Sequence, residues 1–258
     1  MSDRDLSRMG AASVVLSGQQ VIEKHPVSAV ERAFYQHVAP ELKLAGINTP
    51  ALIFLDVPLR KLRLEFIPHP LEQADVASDE ALAMLGRLHR YPPHPQWLYH
   101  PHSWPALALE KSLSLLQLPE ISARQLRFFQ QHSDSLFSYP GLISGDSNAG
   151  NWGRRESGEL VLFDWERFGT GSQAIDLAPL IKGMGTQPMF VDLAERYCRL
   201  TGHSDPGALA REIALAKAWI VTEVIVLLDA REKAAFSLYQ GWYKEHLPGW
   251  LDAVVGMI

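Results

Sequence analysis

The chain has 258 residues, 47% hydrophobic and 21% charged, with 18 Gly and 17 Pro, which excludes a largely disordered or collagen-like polymer. A formal net charge of -5 lacks the basic surplus that neutralises duplex phosphates, so a nucleic-acid partner is not expected. Cys198 is the sole cysteine, which rules out an intrachain disulfide and a cysteine-based zinc cluster.

The first ten residues are polar and of mixed charge, unlike a signal peptide. Val14-Val15-Leu16 and Gln20-Val21-Ile22-Glu23-Lys24 flank Ser17-Gly18-Gln19 and predict a β-hairpin. Ser28 then opens a helix with Val30, Ala33, Phe34 and Val38 on its apolar positions, and Pro40 is its expected stop. Two further strands are expected over 51–57 and 62–67, and Pro68 and Pro70 mark a lobe boundary. From Ser78 the periodicity is helical: one helix ending near His89, others over 107–116 and 121–136, and more from Ile175 onward. The apolar stretch from Ala218 to Leu228 is interrupted by Glu223 and is too short to span a bilayer, so no membrane partner is expected and a cytoplasmic location is the default. The expected architecture is α+β: a small β-rich lobe over 1–68 and a larger, mainly helical lobe over 69–258 with one hairpin embedded in it.

That embedded segment carries the chemistry. Asp146 and Asn151 precede a turn at Ser157-Gly158, and Asp164 follows it in the run Leu160-Val161-Leu162-Phe163-Asp164-Trp165-Glu166. A two-residue turn centred on Ser157-Gly158 places Asn151 and Asp164 at the same end of the hairpin. Two hard oxygen ligands facing one another suit Mg²⁺ bound to phosphates, and Asp146 would supply a carboxylate nearby to orient a hydroxyl.

Gly145-Asp146, Asn151 and Phe163-Asp164-Trp165 together resemble the aminoglycoside phosphotransferase and choline kinase family, which has a protein-kinase-like fold. Asp176, Leu85-Gly86-Arg87-Leu88-His89 and Val21-Ile22-Glu23-Lys24 extend the likeness, although Ser144 stands where the family has His. The resemblance implies a two-lobed kinase-like fold with ATP and Mg²⁺ as cofactors and a small-molecule hydroxyl as acceptor. Asp146 would orient or deprotonate that hydroxyl, and Asn151 and Asp164 would hold the metal. Lys24 would pair with the α- and β-phosphates and Glu31 with Lys24, while Glu65 and Ile67 would offer backbone groups to adenine. The nucleotide-covering loop falls on Arg8-Met9-Gly10-Ala11-Ala12-Ser13, whose single Gly departs from the usual Gly-rich loop and which brings Ser13 to the phosphates.

Plainer readings compete at several positions. Ser28-Ala29-Val30-Glu31 is a capping box, in which the Glu31 carboxylate reaches back to the Ser28 amide instead of Lys24, with Glu41 as a substitute partner. His89, His94, His100 and His102 lack a regular metal-ligand pattern. Trp219, Trp242, Tyr243 and Trp250, beside Glu223, Asp229, Glu232 and Asp252, read either as a cage for an ammonium-bearing substrate or as helix packing. The expected function is a small-molecule kinase, its acceptor an aminoglycoside or a small, cationic or uncharged metabolite. The alternative is a non-catalytic nucleotide-binding protein that keeps the fold.

Overall fold

The computed structural model describes residues 4–5, 13–17 and 20–258. Its contacts divide the chain into two compact units, residues 1–101 with 141–170 and residues 102–140 with 171–258.

In the first unit β1 (Arg4–Asp5), β2 (Ser13–Ser17), β3 (Val21–His25), β4 (Leu52–Asp56) and β5 (Lys61–Glu65) form an antiparallel sheet of order β1-β2-β3-β5-β4. The predicted hairpin is present, with Ser17 opposite Val21. Between β3 and β4 the chain is helical from α1 (Ala29–Ala33) to α2 (Ala39–Leu44), and Ser28 caps α1 by accepting the Glu31 N–H at 3.0 Å. Pro40 does not stop this helix. A π-helical turn over Phe34–Val38 precedes α2, widening the ladder where Pro40 has no N–H to give and its ring would crowd the preceding turn.

The remainder of this unit is β6 (His69–Pro70), α3 (Asp79–Arg90), β7 (Leu142–Ile143), β8 (Trp152–Arg154), β9 (Leu160–Leu162) and β10 (Gly169–Thr170). β6, β8 and β9 make a small sheet, and β7 pairs with β10, closing the ends of the segment between them. Phe34 stacks on Trp165 with ring centroids 4.2 Å apart, and both are fully buried with Phe168. Gly153 sits where no side chain fits: a Cβ there would lie 2.8 Å from Ile67 Cγ2 and 3.0 Å from the His69 carbonyl oxygen. Because the second obstacle is backbone, Gly153→Ala is expected to cost about 1–3 kcal/mol by overpacking. Urea unfolding checks this, and an unchanged midpoint would refute the close approach.

The second unit is helical: α4 (Ala106–Leu116), α5 (Glu120–Gln131), α6 (Asp134–Ser138), α7 (Ala174–Leu177), α8 (Gln187–Thr201), α9 (Pro206–Ala230) and α10 (Phe236–Val254). The single helix expected over 121–136 is two, because the Ser133 hydroxyl donates to the Gln130 carbonyl at 2.7 Å and competes with the backbone ladder at the break. Asp176 is fully buried in the first turn of α7. Trp219 and Trp250 are buried, Trp219 Nε1 donating to the Ser103 carbonyl at 3.1 Å and Trp250 lying beside Phe129 and Phe190. Helix packing therefore accounts for these two aromatics.

Lys217 is also buried in this unit, its Nζ donating to the carbonyls of Ile181 at 2.6 Å and Gly183 at 2.8 Å. Burial pushes its ammonium down to about 8, from an ordinary value of 10.5. Between those values the unfolded chain binds more protons than the native one, so the native state gains stability as pH rises through the window. Compared with Lys217→Met, the parent is expected to show an added rise in unfolding free energy over that range. Urea midpoints that ran parallel in the two proteins would reject it.

Candidate active site

The segment between β7 and β10 is held by hydrogen bonds around Asp146. Gly145 takes a left-handed φ of 76°, and Arg167 Nε donates to its carbonyl at 3.1 Å. The Ser144 hydroxyl accepts the Asp146 N–H at 3.3 Å, while Asn151 Nδ2 donates to the Asp146 carbonyl at 2.8 Å. Asn148 Nδ2 donates to Asp146 Oδ1 at 2.6 Å. Asp146 is half-buried. That burial, reinforced by the Asp164 charge, pushes it up to about 6, against the opposing pull of Asn148 and Arg167.

The hairpin that carries Asn151 and Asp164 has a different loop from the expected one. The Gly158 N–H donates to the Arg155 carbonyl and the Arg155 N–H to the Glu159 carbonyl, with Gly158 at φ 85°. The loop is thus three residues long, a tight turn followed by a glycine bulge. The register moves by one: Trp152 pairs with Leu162, and the Phe163 N–H donates to the Asn151 carbonyl at 2.9 Å. Asp164 comes one residue beyond, where its own φ of 65° turns the backbone out of the strand. Asp accepts that left-handed conformation more readily than most residues.

Lys24 joins the sheet to this hairpin. Its Nζ lies 2.6 Å from Glu31 Oε1 and 2.9 Å from Asp164 Oδ1, with only 6% of the residue exposed. Burial alone would lower the lysine, but the two carboxylates outweigh it and hold the ammonium charged. Of the two readings of Glu31 the structure takes the Lys24 one: its carboxylate goes to Lys24 and not back to the Ser28 amide, and only the other half of the capping box forms, the Ser28 hydroxyl accepting the Glu31 N–H. Glu41 is not a substitute, since it is exposed and accepts from the Tyr91 hydroxyl. Burial pushes the Glu31 carboxyl up to about 7 despite the pull of Lys24, because two carboxylates share one ammonium.

Glu31, Asp164 and Glu166 each bring one carboxylate oxygen within 4.8 Å of the others. Carboxylate oxygens gathered this closely suit a divalent cation. Glu31 Oε2 is buried without a hydrogen-bond partner among the described residues, as is the Tyr35 hydroxyl four residues along the same helix. Asn151 has committed its Nδ2 to backbone, which leaves Oδ1 as the atom able to meet a cation. These residues therefore fit a metal ion. No histidine belongs to a metal-capable cluster among the described residues.

At the end of β5 the Glu65 N–H donates to the Ala51 carbonyl and the Phe66 N–H to the Gln20 carbonyl, both at 2.9 Å. Among the described residues no hydrogen bond engages the Ile67 N–H. Ser13 falls away from Lys24. It pairs with His25, so strand alternation turns it to the other face, where it lines a cavity of about 300 Å³ with Glu23, His25 and Lys61. The rest of the expected nucleotide-covering loop, 8–12, lies outside the described residues.

Sequence reasoning missed Asn148, Glu166, Arg167 and Arg155. Glu166 had a signal, a second carboxylate two residues after Asp164. Arg167 and Arg155 had none, because their partners are set by the fold.

The chain belongs to the phosphotransferase enzyme family, whose model matches residues 2–211. The search of curated sequences finds no match. Solved structures resemble it over nearly its whole length. One is a ternary complex of streptomycin, ATP and APH(2")-IIa, at 16% identity and TM-score 0.63, covering 100% of this chain and 93% of that one. Another is a choline/ethanolamine kinase family protein from Mesorhizobium loti, at 13% identity and TM-score 0.66, covering 100% and 92%. A third is choline kinase LicA from Streptococcus pneumoniae, at 16% identity and TM-score 0.65, covering 98% and 93%. The fold is accordingly the α+β, two-lobed, kinase-like one. Among the described residues no helix is long and apolar enough to cross a membrane.

Proposed function

We propose that the protein is an ATP- and Mg²⁺-dependent kinase that transfers the γ-phosphate to a hydroxyl group of a small molecule, an aminoglycoside or a small metabolite. The observation that carries this reading is the Lys24 ammonium held at 2.6 Å from Glu31 and 2.9 Å from Asp164. In this reading residues 1–68 form the nucleotide lobe, and residues 69–258 bear the catalytic loop and the acceptor site. Lys24 pairs with the α- and β-phosphates, and Glu31 keeps it aimed. Asn151 and Asp164 hold Mg²⁺, which when bound neutralises charge on the β- and γ-phosphates. Glu65 and Ile67 lie at the base of the nucleotide.

Asp146 accepts a hydrogen bond from the acceptor hydroxyl, orients it in line with the phosphate and takes its proton as the bond forms. Its raised pKa makes it a better proton acceptor than an ordinary carboxylate while leaving it ionised at neutral pH. Asn148 fixes Oδ1 from one side, so Oδ2 is the oxygen offered to the substrate. Acceptor recognition belongs to the helices after Asp176, and nucleic acid and membrane are not partners in this reading.

The test is ADP release from Mg²⁺·ATP across a panel of aminoglycosides, amino alcohols, sugars and vitamin alcohols, run beside Asp146→Asn. Acceptor-dependent ADP that disappears in the variant supports the reading and names the acceptor class. Nucleotide binding with no turnover on any acceptor favours a non-catalytic nucleotide binder.

A further inference from the structure

Arg155 lies in the loop between β8 and β9, ninety positions in sequence from Glu65, yet it grips that residue with both arms. Nε donates to Glu65 Oε1 at 2.7 Å and Nη2 to Glu65 Oε2 at 2.8 Å. Nη2 also donates to the Thr49 carbonyl at 2.9 Å, and Nη1 pairs with Glu159. Glu65 Oε2 in turn accepts the Ala51 N–H at 3.0 Å. One guanidinium thus ties together the approach to β4, the end of β5 and the hairpin. The side chains of Arg155 and Glu65 are only 20% and 28% exposed, so water screens the pair less than it would on the open surface. Neighbouring contacts reinforce the join: Arg154 pairs with Glu80 at 2.6 Å, His69 with Glu156 at 3.0 Å, and β6 continues the hairpin sheet.

We propose that Arg155 is a positioning residue for the base end of the nucleotide site, fixing the Glu65–Ile67 backbone through its two-armed grip on the Glu65 carboxylate. The grip keeps the Glu65 side chain from serving as a ligand contact and turns it into a strut. The Glu65 and Phe66 amides are spent on Ala51 and Gln20, so the Ile67 N–H, unengaged among the described residues, is the group left to meet a base acceptor. A backbone donor selects a ligand only as well as it is held. Lysine could not do the same, because an ammonium cannot span both carboxylate oxygens and the Thr49 carbonyl from one plane.

This inference rests on the proposed nucleotide site, and its test separates the two. Calorimetry measures binding of Mg²⁺·ATP and of Mg²⁺·tripolyphosphate, which has the phosphates but no base, to the parent, Arg155→Met, Arg155→Lys and Glu65→Gln. Arg155→Met and Glu65→Gln are expected to weaken ATP about tenfold and leave tripolyphosphate within about twofold. Arg155→Lys should fall between the parent and Arg155→Met, and it serves if Arg155→Met does not fold. The double variant Arg155→Met/Glu65→Gln should be no weaker than either single one, as both remove the same contact. Equal weakening of both ligands, or of neither, overturns the positioning role while the kinase reading stands. A parent that binds tripolyphosphate but shows no preference for ATP overturns the base site itself.

Discussion

Lys24→Met is expected to lower the unfolding free energy by about 3–5 kcal/mol at pH 8, the usual cost of removing one partner from a buried ion pair. Glu31, 1% exposed, would lose the ammonium that offsets its buried carboxylate, and Asp164 would lose its ion pair with the same group. Only part of the damage should appear in acid. Glu31 already sits at about 7 with Lys24 present, and removing the ammonium raises it further. As pH falls through that range the carboxyl takes up a proton, the uncompensated charge disappears, and the deficit against the parent narrows. Urea unfolding at pH 5.5 and pH 8 measures both effects. The same variant should lose Mg²⁺·ATP binding, because the phosphates lose their fixed cation. A variant as stable as the parent at pH 8 would mean that Lys24 does not hold the two carboxylates in solution.

The second large effect concerns turnover. Asp146→Asn preserves shape, and its side-chain oxygen can still accept from Asn148, so folding and nucleotide binding should survive. The ability to take a proton does not survive, and kcat is expected to fall by about 10²–10⁴-fold. In the parent, the carboxyl titrates near 6 instead of its ordinary 3.8, so activity should drop with one-proton dependence as pH falls below about 6. The residual activity of the variant should lack that limb. Stability carries the opposite sign. A carboxyl raised on folding binds more protons in the native than in the unfolded state between those values, so it costs stability as pH rises through them. Asp146→Asn is therefore expected to unfold at a slightly higher urea concentration than the parent at pH 8. A parent whose turnover stayed flat down to pH 4.5 would remove Asp146 from the proton transfer.

Elements set by short-range patterns were readable in advance. Ser28 caps its helix as its position implies, the β2–β3 hairpin forms between its two apolar runs, β4 falls within its expected segment, and β5 begins one residue before its own. Pro40 was misleading because proline reports a missing N–H, whereas the chain continues its helix by widening one turn. The Ser157-Gly158 turn was misread by one residue. Glycine signals a left-handed position without saying whether it lies at the centre of a turn or in the bulge after it.

The sequence by itself singled out the residues proposed to carry the chemistry: Asp146, Asn151 and Asp164 lie within one short stretch, so their spacing alone restricts where they can meet. It also determined the family, through residue types that phosphate and metal chemistry require. Tertiary structure alone decided whom the long side chains serve. Glu31 had a backbone amide three residues away and a lysine seven away, and burial of Lys24 between Glu31 and Asp164 settled the choice. Ser13 and Lys24 are close in the sheet, yet alternation put them on opposite faces. Arg155 and Glu65 found each other across ninety positions. Local preferences act over a few residues, whereas an ion pair forms wherever folding brings opposite charges out of water together.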